Sequence, residues 1–468
     1  MDYPHGRTVT TVFVHTDSGE RIHVLESKKG QHAGLHSGMR VRVTGTWAGG
    51  MRSGGGMAAA AAAAAPKAFV AASTQRIGGV KRGQVRRPAL ARGKLEASAP
   101  MLSSNPPTAK DISTIVIPIA GVTPQGGACP GTSLPQFSVD QEANRNGTTV
   151  GSLFGSCSYG KSRLTAANSL VAPLVKLPCE GITNGVAWTF SKCDFDDFNG
   201  WADAADEALR AQGVALEKYK YRVYLVPPSA CGFVGLGYVG CDGSYTCRAW
   251  IGSAVWDSAT AIAHELGHNL FMGHATSILP DLSVDEYGDV TSVMGYCCET
   301  RCPNTPQAWQ MGWLTLQQLD SSSLKPGQTV QLRLASQAIS SQTGARIDVS
   351  SWVAGVDPIF VGFRTAERGD RGLSAGAAGR VHVYTAPTTN NFDARPTIWR
   401  EGLAAGQSWS QPASGVVVRH KGMAGSSALV SVCRSGGAET AASCAAGVDW
   451  DCNGLAGAAD PACASLLA

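Results

Sequence analysis

The chain has 468 residues, of which 44% are hydrophobic and 16% charged, and this composition excludes a wholly disordered protein. Its formal net charge of +4 is too small to indicate a nucleic-acid partner. No apolar run reaches the roughly 18 residues that a membrane span needs. The 14 cysteines are typical of a protein in an oxidising compartment. We therefore expect a secreted chain, although its polar opening at Met1–His5 lacks the apolar core of a signal peptide.

The first 110 residues divide into two parts. Residues 9–46 contain three alternating runs separated by Gly-rich turns, and they predict a small β unit over 1–48. Residues 49–110 are of low complexity, and their eight consecutive alanines and acid-free basic run indicate a disordered linker. The other interpretation is a processing site, at Lys81-Arg82 or Arg86-Arg87, that would release an N-terminal prosegment.

Beyond residue 110 the pattern predicts both strands and helices. A buried strand over 113–119 is followed by a helix over 201–213 and a strand over 221–226. A second helix begins near Asp257 or Ser258, either of which can cap it. From about residue 328 the pattern is β only, with runs at 330–334, 360–363, 380–384, 416–419 and 429–432. Turn-rich spacers between these runs predict a sandwich.

The segment from Ala259 to His274 carries the strongest chemical signal. Its apolar residues recur at helical spacing and predict one buried face. His264 and His268 are four residues apart, so they project from one face and can hold one metal ion. Glu265 is placed to accept a proton from water that the metal activates. Two other interpretations are unrelated surface histidines and a purely structural zinc site, which would leave Glu265 without a purpose.

His274 is the candidate third ligand. On a continued helix it would lie about 9 Å beyond His268 and on another face, so the chain must reverse before it. Gly273 is able to take the left-handed conformation that ends a helix, and we expect the reversal there. Three imidazoles leave a fourth position open to water, which is the geometry of a catalytic zinc.

A Ser-x-Met-Gly turn at 292–295 follows the helix, and this combination resembles the metzincin clan of metalloproteases. The string over 301–313, with the upstream segments 231–237 and 247–252, resembles the gametolysin family more specifically. Members of that family are matrix and cell-wall lytic metalloproteases of volvocine green algae. The resemblance covers about residues 110 to 435.

The resemblance implies His264, His268 and His274 as zinc ligands and Glu265 as the catalytic acid/base. It also implies Met294 as an apolar support beneath the metal, and not as a ligand. The substrates that it implies are extracellular-matrix glycoproteins rich in proline or hydroxyproline.

The chain departs from the clan pattern at Phe271, because metzincins usually carry a glycine three residues after the second histidine. We expect Gly273 to take over the turn. Tyr296 follows Met294 by two residues, a spacing at which some metzincins hold a tyrosine near the metal. There it would ligate the ion or donate to the developing oxyanion; the alternative is a tyrosine that closes a packed turn. Residues 1–128 hold no cysteine, so a prosegment cysteine cannot occupy the zinc.

The last 33 residues, 436–468, carry a separate signal. Four side chains follow the oxygen-ligand spacing of a twelve-residue calcium loop: Asp449, Asp451, Asn453 and Asp460. Calcium is therefore a second candidate cation, and a solvated disulfide tail is the alternative. Cysteine pairing cannot be deduced from the sequence, but we expect bridges from Cys297, Cys298 and Cys302 to brace the active-site floor. A second metal is the alternative there, although the spacing is unlike that of a four-cysteine zinc site.

Together these patterns predict an α+β fold: a β prosegment (1–48), a linker (49–110), a metzincin-like zincin domain with a mixed sheet and active-site helix (111–322), an all-β sandwich (323–435) and a Cys/Asp tail (436–468). The predicted activity is that of a secreted zinc metalloendopeptidase. One alternative is an inactive matrix glycoprotein that keeps the protease fold, and another is a metzincin of a different branch. The sandwich would either grip wall polymer or only stabilise the catalytic domain.

Overall fold

The computed structural model describes residues 111–135, 149–241, 246–388 and 393–467, together with the backbone of four strands nearer the N-terminus. Those four strands form one sheet in the order β1-β2-β4-β3. They are β1 Val12–His15, β2 Arg21–Glu26, β3 Val41–Trp47 and β4 Ala68–Arg76.

The fourth strand corrects the predicted organisation of this region. β4 lies within residues 49–110, so the prediction of a disordered linker was wrong for this stretch. It pairs antiparallel with β3 and parallel with β2, and pairing on both sides outweighs the weak strand preference of its alanines. The two candidate processing sites lie outside the described residues.

A six-stranded sheet precedes the three histidines in the chain and packs against the helix that carries two of them. Its order is β11-β12-β10-β5-β6 with β7 paired to β5, and every pairing is parallel except that of the edge strand β11. The strands are β5 Thr114–Gly121, β6 Ser169–Val171, β7 Val175–Leu177, β10 Tyr221–Leu225, β11 Gly235–Gly237 and β12 Cys247–Ile251. Beside them, β8 Glu180–Thr183 and β9 Val186–Thr189 form a hairpin.

Helices cover both faces of this sheet. Among the described residues, the α-helices of the whole fold are α1 Val150–Cys157, α2 Phe195–Ala211, α3 Ala259–Asn269, α4 Thr305–Gln310 and α5 Ala441–Ala446, and the first three of them cover this sheet. On one face, α1 and α3 share a core with inward residues of β10 and β12 such as Val223 and Ile251. On the other face, α2 packs Trp201 and Leu209 against residues such as Ile117. Because successive side chains of a strand point to opposite faces of the sheet, they contribute to two separate cores.

Helix starts follow their capping residues. α2 begins at residue 195 and not at 201, because Asp197 in its first turn accepts a hydrogen bond from the Asp194 N–H (3.0 Å) and fixes an earlier start. α3 begins after Ser258, whose hydroxyl accepts from the Ala261 N–H at 3.1 Å. Of the two predicted caps, Ser258 is therefore the one used.

Two further sheets follow. A seven-stranded sheet has the order β14-β13-β20-β19-β18-β17-β15, and a four-stranded sheet has the order β16-β23-β22-β21. The first comprises β13 Ala275–Ile278, β14 Val284–Asp285, β15 Thr315–Leu319, β17 Gln342–Ile347, β18 Ile359–Arg364, β19 Arg380–Thr385 and β20 Thr397–Leu403. The second comprises β16 Gln328–Leu334, β21 Ser408–Gln411, β22 Val416–Ala424 and β23 Ser427–Arg434. The five runs predicted after residue 328 coincide with β16, β18, β19, β22 and β23.

The seven-stranded sheet crosses the domain boundary predicted at 322/323. β13, β14 and β15 precede that boundary, yet β13 pairs with β20 and β15 pairs with β17. Inward residues of this sheet, such as Val361 and Val383, share one core with Val418 and Val430 of the four-stranded sheet. The described residues therefore form an α+β fold with several sheets and few helices, in which the histidine segment and the C-terminal strands are built together.

Six disulfides join twelve cysteines of the described residues: Cys129–Cys179, Cys157–Cys302, Cys193–Cys231, Cys297–Cys298, Cys433–Cys452 and Cys444–Cys463. The bridge from Cys302 to α1 braces the segment after the Ser-x-Met-Gly turn at 292–295 (the Met turn), as expected. Cys297 and Cys298 pair with each other, so the expectation that they brace the floor was wrong, because a bond between neighbours constrains no other element. Among the described residues, no helix has the length and apolar character to cross a bilayer.

Candidate metal centre

Three imidazoles converge at the C-terminal end of α3. His264 and His268 project from one face of the helix, and His274 reaches them from the chain beyond it. The ligand atoms of the three side chains lie within 4.8 Å of one another. The Nε2 atoms of His268 and His274 are 3.1 Å apart, so both point to one location. The structure thus brings the three predicted ligands together.

The chain reverses at Phe271, and the expectation that Gly273 makes this turn was wrong. Phe271 has a φ of +73°, and its N–H donates to the carbonyl oxygen of His268 at 3.0 Å. The Met272 N–H donates to the carbonyl oxygen of Gly267 at 2.8 Å, which completes a Schellman motif with a phenylalanine in the left-handed position.

Burial explains how a phenylalanine is tolerated there. The Phe271 ring is 1% exposed, and the free energy of burying it outweighs the roughly 1–2 kcal/mol cost of left-handed backbone. Gly273 has a different role, since a Cβ on it would lie 2.4 Å from the carbonyl oxygen of Ala394. A glycine is needed at position 273 because the backbone of Ala394 and Arg395, just before β20, packs closely against it.

Each imidazole is oriented by a hydrogen bond at Nδ1. His264 contacts the carbonyl oxygen of Val293 at 2.8 Å, and His268 contacts that of Met272 at 3.0 Å. His274 contacts the carboxylate oxygen Oε1 of Glu286 at 2.8 Å. An acceptor at Nδ1 keeps the proton on that nitrogen and leaves the Nε2 lone pair facing the common point.

The backbone that carries the third histidine is held from two other elements. Gln307 of α4 donates through Nε2 to the carbonyl oxygen of Gly273 at 2.9 Å. Gln310 donates through Nε2 to the carbonyl oxygens of Phe271 (2.8 Å) and Asp393 (2.7 Å). At the start of β20, the Thr397 N–H donates to the carbonyl oxygen of His274 at 3.1 Å. The segment 301–313 therefore stabilises the turn between α3 and His274 through Gln307 and Gln310. Its sequence did not suggest this role.

Glu265 lies between α3 and the edge strand β11 and is only 2% exposed. Two glycines of that strand make room for it. A Cβ on Gly235 would lie 2.0 Å from Glu265 Oε1, and one on Gly237 would lie 3.1 Å from Oε2. Sequence reasoning missed both positions, although the alternation of glycines in Gly235-Leu236-Gly237 is a signal for close approach of another group.

Met294 is fully buried under α3. A Cβ on Gly267 would lie 2.4 Å from its sulfur, so a glycine is needed where the helix passes over the methionine. The turn is shaped by Ser292, whose Oγ accepts from the Met294 N–H at 3.1 Å and donates to Gln307 Oε1 at 2.6 Å. Met294 thus packs against α3 at Gly267.

A buried carboxylate links this turn to the seven-stranded sheet. Asp289 Oδ1 accepts from the N–H (2.8 Å) and hydroxyl (2.6 Å) of Thr291, and its Oδ2 accepts from Asn304 at 2.8 Å. Burial raises the pKa of Asp289, and these hydrogen bonds offset part of that shift. Asn304 also donates to the Thr397 hydroxyl at 2.7 Å, so the floor of the site is tied to β20.

Two tyrosines differ in their relation to the histidines. The predicted Tyr296 is 52% exposed, and its backbone bonds to Tyr287 and Arg301. The ring of Tyr287 is 6% exposed and has its centroid 4.4 Å from that of His274. Sequence reasoning missed Tyr287, because nothing in its spacing from the helix indicates that the chain folds back there.

The C-terminal tail gathers acidic groups at a second place. Carboxylate oxygens of Glu439, Asp449 and Asp451 lie within 4.8 Å of one another. Asn453 Nδ2 donates to Asp451 Oδ2 (3.1 Å) and to Asp460 Oδ2 (3.0 Å). Burial, and then the charge of Asp451, raise the pKa of Asp449. The four predicted side chains are therefore close together, and Glu439 joins them without any signal in the loop spacing.

Comparisons with known proteins give a family and a relative. The family model described as gametolysin peptidase M11 matches residues 137–401. An autolysin of Chlamydomonas reinhardtii is 23% identical to this chain over an alignment that covers 75% of this chain and 70% of the autolysin. The matched range includes the three histidines and ends within β20, beyond the predicted boundary at 322/323.

Proposed function

Because this chain belongs to the gametolysin peptidase M11 family, we propose that it is a secreted zinc metalloendopeptidase. Its substrates would be matrix or cell-wall glycoproteins rich in proline or hydroxyproline. The observation that carries the proposal is the convergence of three imidazoles beside the buried carboxylate of Glu265. Similarity to an algal autolysin supports wall substrates and action outside the cell.

The donor set fits zinc. Imidazole nitrogen is a common zinc ligand, and sites with three protein ligands keep a fourth position open, as catalytic zinc sites do. The hydrogen bonds at Nδ1 of His264, His268 and His274 leave each Nε2 available for the ion.

When bound, zinc supplies a Lewis acid that polarises the scissile carbonyl and makes water more acidic. The Glu265 carboxylate accepts the proton of the attacking water and then passes it to the leaving amine. Gly235 and Gly237 leave room for this carboxylate beside β11, in the position from which it takes the proton. Met294 packs beneath α3 and supports the ligands without binding the ion.

Tyr296 is proposed as a donor to the developing oxyanion. Its side chain is half-exposed beside the Met turn, where an incoming peptide can reach it. The variant Tyr296→Phe should lower turnover more than substrate affinity. Unchanged turnover would remove the role and leave Tyr296 as a turn residue.

The test is proteolysis of a proline-rich wall glycoprotein by the full chain, with and without a zinc chelator, beside the variant Glu265→Gln. We expect the chelator to abolish cleavage and the variant to lose about 10²–10⁴-fold in turnover while it retains zinc. Cleavage that survives both treatments would rule out the mechanism. A folded, zinc-loaded sample that cleaves nothing would favour the inactive matrix glycoprotein.

We also propose that calcium binds to the tail. Asp449 Oδ1 is buried, and among the described residues it has no hydrogen-bond partner, although Glu439 and Asp451 bring further carboxylate oxygens to it. Extracellular calcium modules bind with dissociation constants of about 10⁻⁴–10⁻³ M. Calorimetry with millimolar calcium should give heat for the wild type and none for Asp449→Asn; equal traces would remove this site.

A further inference from the structure

We propose that Glu286 is a positioning residue of the metal centre, which holds the His274 ring with Nε2 directed at the ion. This inference rests on the proposed function, because it assumes that the three histidines bind zinc. The observation behind it is the 2.8 Å contact between Glu286 Oε1 and Nδ1 of His274.

The three ligands differ in what holds them. His264 and His268 stand on α3, and their Nδ1 atoms contact backbone carbonyl oxygens. His274 stands beyond the reversal, where no helix fixes its direction, and its Nδ1 contacts a side chain. A carboxylate is a stronger acceptor than a carbonyl oxygen, and it increases the basicity of the ring. Glu286 therefore supplies both orientation and negative charge to the third ligand.

Glu286 reaches this position through a short hairpin. β13 begins directly after His274, and it pairs with β14, which ends directly before Glu286. Beyond β14, the Asp289 N–H donates to the carbonyl oxygen of Ala275 at 3.1 Å. The hairpin thus returns the chain to the histidine that precedes it, and the backbone on both sides of Glu286 is fixed.

The His274 ring is also restrained on its face. The centroid of the buried Tyr287 ring lies 4.4 Å from that of His274, so consecutive residues supply a hydrogen bond and a packing surface. Packing limits how far the ring tilts, but it does not decide which nitrogen carries the proton. That choice depends on the acceptor at Nδ1, which is the carboxylate of Glu286.

Glu286 can be replaced without opening a cavity. Its side chain is 45% exposed, so truncation to alanine removes little buried surface and the chain should fold. The variant Glu286→Gln keeps an oxygen that can accept from Nδ1 and removes only the charge. The two variants therefore separate the hydrogen bond from the charge, and Glu207→Ala on the exposed side of α2 is a matched control.

The experiment measures the zinc dissociation constant of the full chain by competition with a chromogenic chelator, together with thermal unfolding of the metal-free protein. Glu286→Ala should weaken zinc binding by about 10- to 100-fold. Glu286→Gln should lie between this variant and the wild type, and Glu207→Ala should match the wild type. All four proteins should unfold at the same temperature without metal, because a positioning role acts on the ion and not on the fold.

Cobalt provides a second measurement. The visible spectrum of the Co²⁺-loaded wild type should change in Glu286→Ala, because loss of the acceptor alters the third ligand. Zinc binding by Glu286→Ala that equals the wild type, with an unchanged cobalt spectrum, would overturn the inference and leave the proposed function intact. A wild type that binds no zinc would overturn both.

Discussion

The candidate metal centre joins two stretches of chain that are held in different ways. His264 and His268 stand on α3, where helical spacing, the Ser258 cap and an apolar face determine their positions. His274 lies beyond the reversal, and its backbone is held by Gln307, by Gln310 and by β20. The difference shows that a local pattern suffices to place two of the histidines, whereas the position of the third depends on a sheet assembled from distant sequence.

The largest expected effect is on the α3 side of this comparison, at the carboxylate of Glu265, the proposed general base. A Cβ on Gly235 would lie 2.0 Å from Glu265 Oε1, and moving the flexible carboxylate is the easiest way to relieve the overlap. Gly235→Ala should therefore lower kcat/KM by about 100-fold, while zinc content stays at the wild-type level. Activity assays and metal analysis on the same samples measure both quantities.

The matched control for this prediction is Gly232→Ala. A Cβ at position 232 meets nothing within 4 Å, so this variant should be as active as the wild type. Equal activities for Gly235→Ala and Gly232→Ala would show that β11 does not constrain Glu265.

The next effect concerns the reversal. Phe271→Gly installs the residue that the metzincin pattern favours, and it relieves about 1–2 kcal/mol of left-handed strain. It also removes a buried ring, and Phe-to-Ala changes in cores cost about 3–5 kcal/mol. The loss is larger, so the variant should be less stable by about 2.5 kcal/mol in urea unfolding.

Phe271→Ala separates the two contributions. It loses the ring but keeps a Cβ in the left-handed conformation, so it should be less stable than Phe271→Gly by about 1–2 kcal/mol. If the two variants had equal stability, backbone strain at this position would be negligible.

The smallest of the three effects concerns the amide that holds the reversal. Gln310→Ala removes the donor to the carbonyl oxygens of Phe271 and Asp393. Leaving buried acceptors unsatisfied should cost about 2 kcal/mol of unfolding free energy, measurable by urea titration. Gln331→Ala on the exposed side of β16 should change it by less than about 0.5 kcal/mol, and an equal loss in both variants would contradict the assigned contacts.

The sequence predicted the parts of the molecule that local rules govern. The spacing of His264 and His268, a helix start near Asp257 or Ser258 and the strand runs after residue 328 all follow from periodicity and capping, and the structure has them, with Ser258 as the cap. These features depend on residues that are close together in the sequence, so the local sequence pattern is enough to predict them.

The remaining features depend on contacts between distant residues. A glycine at 273 looked like the turn residue, but Phe271 takes the left-handed position because its ring is buried. The burial of a side chain cannot be read from the sequence. Glu286 meets His274 only because a hairpin returns the chain, and Glu439 joins the acidic tail across a helix. The shared sheet was missed because β20 pairs with a strand more than a hundred residues earlier.

That shared sheet also has a consequence for fragments of the protein. A chain cut at 322 would leave β13 without β20 and β15 without β17. Their backbone donors and acceptors would then be exposed along open strand edges, which are templates for pairing with other chains. Such a fragment should aggregate, and it would lack the Thr397 N–H that holds the carbonyl oxygen of His274, so the smallest practical peptidase unit extends at least through β20.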